Sequence, residues 1–304
     1  FRSTVTVNSG GILDVYNWDW NTSLGTLYFD TSNLTINGGT IRYSGLTSNS
    51  ASAVNGASSR SFSIGSGGAT FDNPNAGVTW TIDRNTNTAA YQNNMTGNVT
   101  FTGAGNIVFT QYLTGAGYTV TKNGSGTTTL GGTNTYTGGT TLNAGTLNVN
   151  SSSALGASGT LTFGGGTLQY SANNTTDYSA RASSAAGQAY KIDTNGQTVT
   201  WASALTSSGG TLTKLGTGTL TLTGTNTFTG DTTISAGTLQ LGNGGSTGSL
   251  ASANIIDNGT LAFYTNVDTT AAYNISGTGG VQVTGVTRGS ALYSSYLSTT
   301  PVTI

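Results

Sequence analysis

Two stretches of the sequence are nearly the same. Residues 119–149 read TVTKNGSGTTTLGGTNTYTGGTTLNAGTLNV, and residues 211–241 read TLTKLGTGTLTLTGTNTFTGDTTISAGTLQL. They align without a gap, 20 of 31 positions are identical, and most changes exchange like for like, as at Tyr136 and Phe228. A repeat this long indicates one structural unit that is used again. The sequence therefore predicts a stacked array rather than one globule.

A shorter period runs inside each copy. Leu220 and Leu222 recur in the following strand as Leu239 and Leu241. The first copy has the same spacing between Thr128, Leu130 and Leu147, Val149. Each pair has a period of two, so both side chains lie on one face of a strand. Strands separated by Gly or Asn-Gly recur in this way at intervals of about 19–22 residues, a spacing typical of β-helix rungs.

These patterns predict an all-β fold, a single elongated parallel β-helix over residues 1–285 with rungs of about 19–22 residues. Its clearest repeats are 106–149 and 198–241. One rung cannot bury enough apolar surface to offset its own ordering, so each rung depends on its neighbours. Trp80 and Trp201 each close a Val-Thr-Trp triplet and Phe109 aligns with Trp201, which indicates core packing.

The composition argues against several classes of function. The 304 residues carry a net charge of −1 with only 6% charged residues, and no apolar run is long enough to span a bilayer. We therefore expect no nucleic-acid partner and no direct membrane insertion. The chain has no Cys and no His, so the usual nucleophile–base pairs and zinc sites are absent. We expect no enzyme activity, no cofactor and no metal.

The repeated segments resemble a known family. Residues 121–149 and 213–241 are similar to the autotransporter-associated β-strand repeat, also called the passenger-associated transport repeat, of bacterial surface β-solenoid proteins. The resemblance implies a right-handed parallel β-helix that is extracellular, on the bacterial cell surface, and serves as a scaffold. Because the chain starts at Phe1 without Met, we expect a processed or trimmed product. The sequence is compatible both with a released passenger and with a stand-alone surface protein.

An aromatic cluster near the start is the densest feature outside the repeats. It contains Tyr16, Trp18, Trp20, Tyr28 and Phe29, and the first three share one face of a predicted strand. If that face is buried, the cluster plugs the end of the helix or contacts another subunit. If it is exposed, it offers a flat platform for glycans.

Among the aspartates, Asp14 with Asp19 and Asp72 with Asp83 are candidate groups that lie close in the sequence. Neither group recurs at a fixed rung position, and most aspartates have an Asn or Gly within two residues, as turn residues often do. We interpret them as capping turns, and a carboxylate pair for glycoside hydrolysis or a weak calcium site is the less favoured alternative.

The last segment, 286–304, leaves the repeat pattern. Its apolar residues are Leu292, Tyr293, Tyr296, Val302 and Ile304. The exposed end of a β-helix invites pairing with another strand. The segment therefore predicts either a cap on its own end or an assembly tail that donates a strand to a neighbouring chain.

The functional hypothesis that follows is a structural extracellular surface protein. In its first form the chain is a filament or surface-layer subunit, and its partner is another copy of itself, joined head to tail through the β-helix ends or the terminal strand. The alternative is a monomeric autotransporter-type passenger or adhesin stalk that binds glycans or matrix.

Overall fold

The chain folds as an all-β parallel β-solenoid, as the sequence predicts. The computed structural model describes residues 5–15, 34–48, 62–82, 93–266 and 273–284. In these ranges the only helical element is a single 3₁₀ turn, Ser179–Arg181. The chain divides into two compact units, Phe1–Thr160 and Leu161–Ile304.

The first unit contains fifteen described strands. They are β1 Val5–Asn8, β2 Ile12–Val15, β3 Leu34–Asn37, β4 Thr40–Tyr43, β5 Ser63–Ile64, β6 Ala69–Asp72, β7 Thr79–Ile82, β8 Asn93–Asn94, β9 Val99–Thr102, β10 Asn106–Phe109, β11 Leu113–Thr114, β12 Val120–Lys122, β13 Thr127–Leu130, β14 Thr140–Leu142 and β15 Thr146–Val149. Within the unit their spatial orders are β1-β3-β5, β2-β4-β6-β9-β12-β14, β7-β10-β13-β15 and β8-β11. Successive strands in each order are parallel and lie one coil apart.

Alternation along each strand decides which side chains form the core. In β9, Val99 and Phe101 are fully buried and the two threonines between and after them are half-buried on the outer face. Phe101 lies 5.6 Å from Phe71 on the neighbouring coil and 5.2 Å from Phe109, measured between ring centroids. Trp80 and Phe109 are both fully buried, which confirms their predicted place in the core.

The coils of the first unit differ in length. Thr127 pairs with Thr146 within the repeated segment, which matches the predicted rung. Nearer the start, Val5 pairs with Leu34, and that coil is several residues longer than predicted. Residues 16–33 of this coil lie outside the described residues, and the register of the described strands β1 and β3 is kept.

The second unit contains fourteen described strands. They are β16 Leu161–Phe163, β17 Thr167–Gln169, β18 Ala189–Asp193, β19 Thr198–Trp201, β20 Thr211–Leu215, β21 Thr219–Leu222, β22 Thr225–Asn226, β23 Thr232–Ile234, β24 Thr238–Leu241, β25 Ser249–Leu250, β26 Asn254–Asp257, β27 Thr260–Tyr264, β28 Asn274–Ser276 and β29 Gly280–Thr284. Within the unit their orders are β17-β18-β20-β23-β26-β28, β19-β21-β24-β27-β29 and β22-β25.

The apolar pairs of the second unit stack as their spacing predicts. Leu220 pairs with Leu239 on the next coil and Leu222 with Leu241, and all four are fully buried. On the coil before, Trp201 lies in register with Leu222. The spacing of two residues within a strand and the rung length between strands therefore predicted this inner column of buried residues correctly.

Candidate functional site

The sequence-predicted sites fall mostly outside the described residues. This holds for the aromatic cluster Tyr16, Trp18, Trp20, Tyr28 and Phe29, and for the tail residues Leu292, Tyr293, Tyr296, Val302 and Ile304. Asp19 and Asp83 lie outside as well. The predicted roles of the aromatic cluster and of the tail therefore remain predictions.

The described aspartates of the first unit include one ion pair. Asp72 on β6 accepts a hydrogen bond of 3.0 Å from Arg42 Nε on β4, one coil away. Both side chains lie on the outer face, where such a pair contributes little to stability. The described ranges contain no group of three or more His, Cys, Asp or Glu residues that could hold a metal ion. Among the same residues, no helix is both long enough and apolar enough for a membrane span.

The repeated segment instead holds a buried lysine that clamps two coils. Lys122 ends β12, two residues after the inward Val120, so its side chain also points into the solenoid and is 1% exposed. Its Nζ donates to Asn123 O at 2.5 Å and Gly124 O at 2.9 Å on its own coil, and to Ala144 O at 3.4 Å on the next. The ammonium group thus satisfies three carbonyls at a corner of the fold.

The second copy repeats this lysine clamp. Lys214 is fully buried, and its Nζ donates to Leu215 O at 2.9 Å, Gly216 O at 2.8 Å and Ala236 O at 3.2 Å. In each clamp, the residue after the carbonyl on the next coil must be a glycine. Gly237 has φ +68°, and a Cβ there would lie only 2.7 Å from the backbone oxygen of Gly216, one of the carbonyls that Lys214 binds. Gly145 occupies the equivalent position in the first copy, also with positive φ. This explains why both copies have a glycine in the tripeptide Ala-Gly-Thr.

Burial changes the titration of both lysines. Desolvation lowers the pKa of Lys122 to about 8. The pKa of Lys214 is also lowered to about 8 by desolvation, although the nearby charge of Asp193 raises it somewhat. The loss of hydration disfavours the charged ammonium group more than its hydrogen bonds to the cage of three backbone carbonyls favour it.

A buried asparagine provides a second clamp, which spans three coils. Asn134 is 2% exposed; its Oδ1 accepts from Leu113 N at 2.9 Å on the coil before, and its Nδ2 donates to Ala154 O at 2.7 Å on the coil after. Without it, these two buried backbone groups would have no partner at this bend.

Asn226 is the equivalent residue in the second copy, and it is 1% exposed. Its Oδ1 accepts from Leu205 N at 2.9 Å, and its Nδ2 donates to Ser249 O at 2.9 Å. A further bond of 3.0 Å joins Nδ2 to Gly224 O within the same bend. Both copies therefore build the same connection between three coils.

Sequence reasoning missed these four polar residues. Asn134 lies in GTNT, which reads as turn chemistry, and a lysine is rarely buried. A signal was nevertheless present. Lys122 and Lys214 occur on the inward phase of an alternating strand, and both the lysine and the asparagine are kept in the two copies.

A hydroxyl contact in the core differs between the copies. In the first, the hydroxyls of Tyr136 and Thr140 are hydrogen bonded at 2.7 Å inside the core. In the second, Phe228 replaces the tyrosine, and the buried Thr232 Oγ1 has no hydrogen-bond partner. The second copy therefore carries an unsatisfied hydroxyl.

Threonine forms much of the outer face. One column on the first unit runs through five successive coils, each member half-buried: Thr40, Thr70, Thr100, Thr121 and Thr141. Threonine is β-branched and stiff, so it favours the strand while its hydroxyl faces water. This is how a chain with few charges covers its surface.

The coils, their inner apolar column and the buried clamps define a parallel β-solenoid. Residues 120–149 and 212–241 match the passenger-associated transport repeat family, at the two segments that hold the clamps. No curated protein and no solved structure matches the chain. The chain therefore carries two copies of a segment similar to this repeat within a parallel β-solenoid.

Proposed function

We propose that this chain is a structural stalk of a surface passenger, a monomeric scaffold whose coils hold other regions away from the cell. The observation that carries the proposal is that the passenger repeat occurs in both units with the same interior clamps. Both clamps fasten one coil to the next and leave the outer face unused, which suits a scaffold better than a reaction centre.

The outer chemistry supports the same function. The solvent-facing side of the strands is rich in threonine, and the chain as a whole carries few charges. Such a surface has hydroxyl groups for hydration but lacks the basic patches that attract nucleic acid. A stalk needs hydration and order along its length, and both are supplied by coil-to-coil repetition.

Filament assembly and glycan binding are the finer hypotheses. Head-to-tail joining depends on the segment 286–304, and glycan binding depends on the aromatic cluster that includes Trp18 and Trp20. The described residues offer no support for either. Both remain predictions, and the experiments that test the stalk also test them.

Sedimentation velocity and negative-stain microscopy of the purified chain test the proposal. A stalk sediments as a monomer across the accessible concentration range and shows no fibres. Concentration-dependent polymers would overturn it in favour of the filament. In parallel, an antibody against the chain should label intact cells of the source bacterium, whereas labelling that requires permeabilised cells would contradict a surface role.

A glycan array then separates a plain stalk from an adhesin. The stalk predicts no glycan that binds above background. Binding that is lost in both Trp18→Ala and Trp20→Ala, with the far-ultraviolet circular dichroism unchanged, would identify the adhesin instead.

A further inference from the structure

Burial decreases toward the last described coil of the second unit. On β27, Leu261 is fully buried and Phe263 is 5% exposed. One coil further, Val281 and Val283 lie in register with them on β29 but are only half-buried. These two valines occupy inner positions of the solenoid, so an apolar surface remains partly open at this end.

The neighbouring sheet shows the same decrease. Ile255 on β26 is fully buried, whereas Ile275, its partner on β28, is half-buried. Among the described residues, β28 and β29 are the last strands in their sheet orders. A last strand presents backbone N–H and C=O groups that pair readily with one more parallel strand.

The sequence beyond β29 carries side chains that fit this surface. One constant step along the sequence leads from Ile275, Val281 and Val283 to Tyr296, Val302 and Ile304. Steps of similar length separate the coils below, since Thr238 pairs with Thr260 and Thr260 with Gly280. The same step places Pro301 at the first position of the strand, where a proline is tolerated.

We propose that residues 285–304 dock on this end as the next coil of the same chain. Tyr296 then covers Ile275, Val302 covers Val281, and Ile304 covers Val283. Because the segment leaves directly from the end of β29, its effective concentration at this surface is far above that of a second molecule. The proposal assigns the open end an intramolecular occupant, and it holds whether or not the chain serves as a stalk.

Engineered cysteines test this register, because the native chain contains no cysteine. Gln282→Cys and Thr303→Cys are combined in one chain and treated with dibromobimane, which fluoresces when it joins two thiols a few ångströms apart. In adjacent parallel strands the two outward residues are about 5 Å apart. We expect a fluorescent product that migrates as a monomer on a reducing denaturing gel.

Three matched samples make the outcome decisive. Thr238→Cys with Thr260→Cys lies in an established register and should react equally well. Gln282→Cys with Thr299→Cys is displaced along the strand and should react at least fivefold less. A mixture of the two single variants, Gln282→Cys and Thr303→Cys, should give no dimer. Dimers in that mixture would assign the tail to a second copy. Equal reaction at Thr299 and Thr303, or reaction at neither, would overturn the register.

Discussion

The two copies of the repeat, 120–149 and 212–241, are built from the same interior bonds although their aliphatic residues differ. Lys122 and Lys214 donate hydrogen bonds to the backbone carbonyls of equivalent residues. Asn134 and Asn226 each bond to the coil before and to the coil after their own. Leu142, by contrast, becomes Ile234 without consequence, since both are fully buried. The comparison teaches that apolar shape is interchangeable here, whereas the hydrogen-bonded positions of the backbone are not.

The copies differ where one hydroxyl is missing. Tyr136 bonds to Thr140, and Phe228 leaves the equivalent Thr232 unsatisfied. A buried hydroxyl without a partner costs about 1–3 kcal/mol. The second copy keeps the fold despite this loss, so the clamps and the apolar column outweigh a single unpaired group.

The largest effect is expected from a charge in the apolar column. Leu220→Asp places a carboxylate between Val199 and Leu239 at a fully buried position. We expect a loss of at least about 4 kcal/mol in the free energy of unfolding, enough to unfold neighbouring coils. Urea unfolding followed by circular dichroism measures it. The control is Thr219→Asp, on the outer phase of the same strand; similar losses in the two variants would contradict a dry column.

The asparagine clamp should give the next largest effect, at least as large in the second copy, where Asn226 makes one further bond to Gly224 O. Asn134→Leu and Asn226→Leu each leave a buried N–H and a buried C=O unpaired, at a cost of about 2–5 kcal/mol. Asn143→Ala is the control, because Asn143 is exposed and its Nδ2 bonds only to the side chain of Asn123. If the two leucine variants unfold at the same urea concentration as the control, the clamp contributes nothing.

The lysine clamps predict a particular dependence of stability on pH. Their pKa is about 8 in the fold and 10.5 in the unfolded chain, so between these values the unfolded chain binds more protons. Stability therefore rises as pH increases from about 8 to about 10. Above about pH 10 it should fall again, because burial raises the pKa of Tyr178 and Tyr190 and the unfolded chain then loses protons first.

Substitution separates this effect from the other groups. The double variant Lys122→Met with Lys214→Met should lose the rise below pH 10 and keep the fall above it. Urea unfolding at about pH 7.5 and about pH 9.5 measures the difference. A rise of the same size in the double variant would show that the lysines do not cause it.

The smallest effect comes from exchanging Tyr136 and Phe228, the aromatic residues at one position where the copies differ. Phe228→Tyr supplies a partner to Thr232 and should stabilise by about 1 kcal/mol, while Tyr136→Phe should destabilise by a similar amount. Thermal unfolding of the two reciprocal variants measures both. If Phe228→Tyr is destabilising, the second copy lacks room for the hydroxyl and the two cores differ more than their sequences.

The sequence predicted the apolar column but not the polar clamps, for a physical reason. Leu220 and Leu239 follow a period of two within the strand and the length of one rung between strands, which fixes both face and neighbour. A buried lysine or asparagine depends on carbonyl and amide groups brought from other coils, and these positions cannot be read from a local pattern. The longer coil from Val5 to Leu34 was missed similarly, because the residues added between them leave the patterns of β1 and β3 unchanged.

The most direct measurement is a nuclear magnetic resonance titration of the lysine side chains. The sequence has three lysines, Lys122, Lys191 and Lys214, and single Lys→Gln variants assign their signals. We predict that Lys122 and Lys214 both titrate near pH 8, since each is held in the same dry carbonyl cage. Titration of either at the ordinary value of 10.5 would place that ammonium group in water and contradict the shared interior of the two copies.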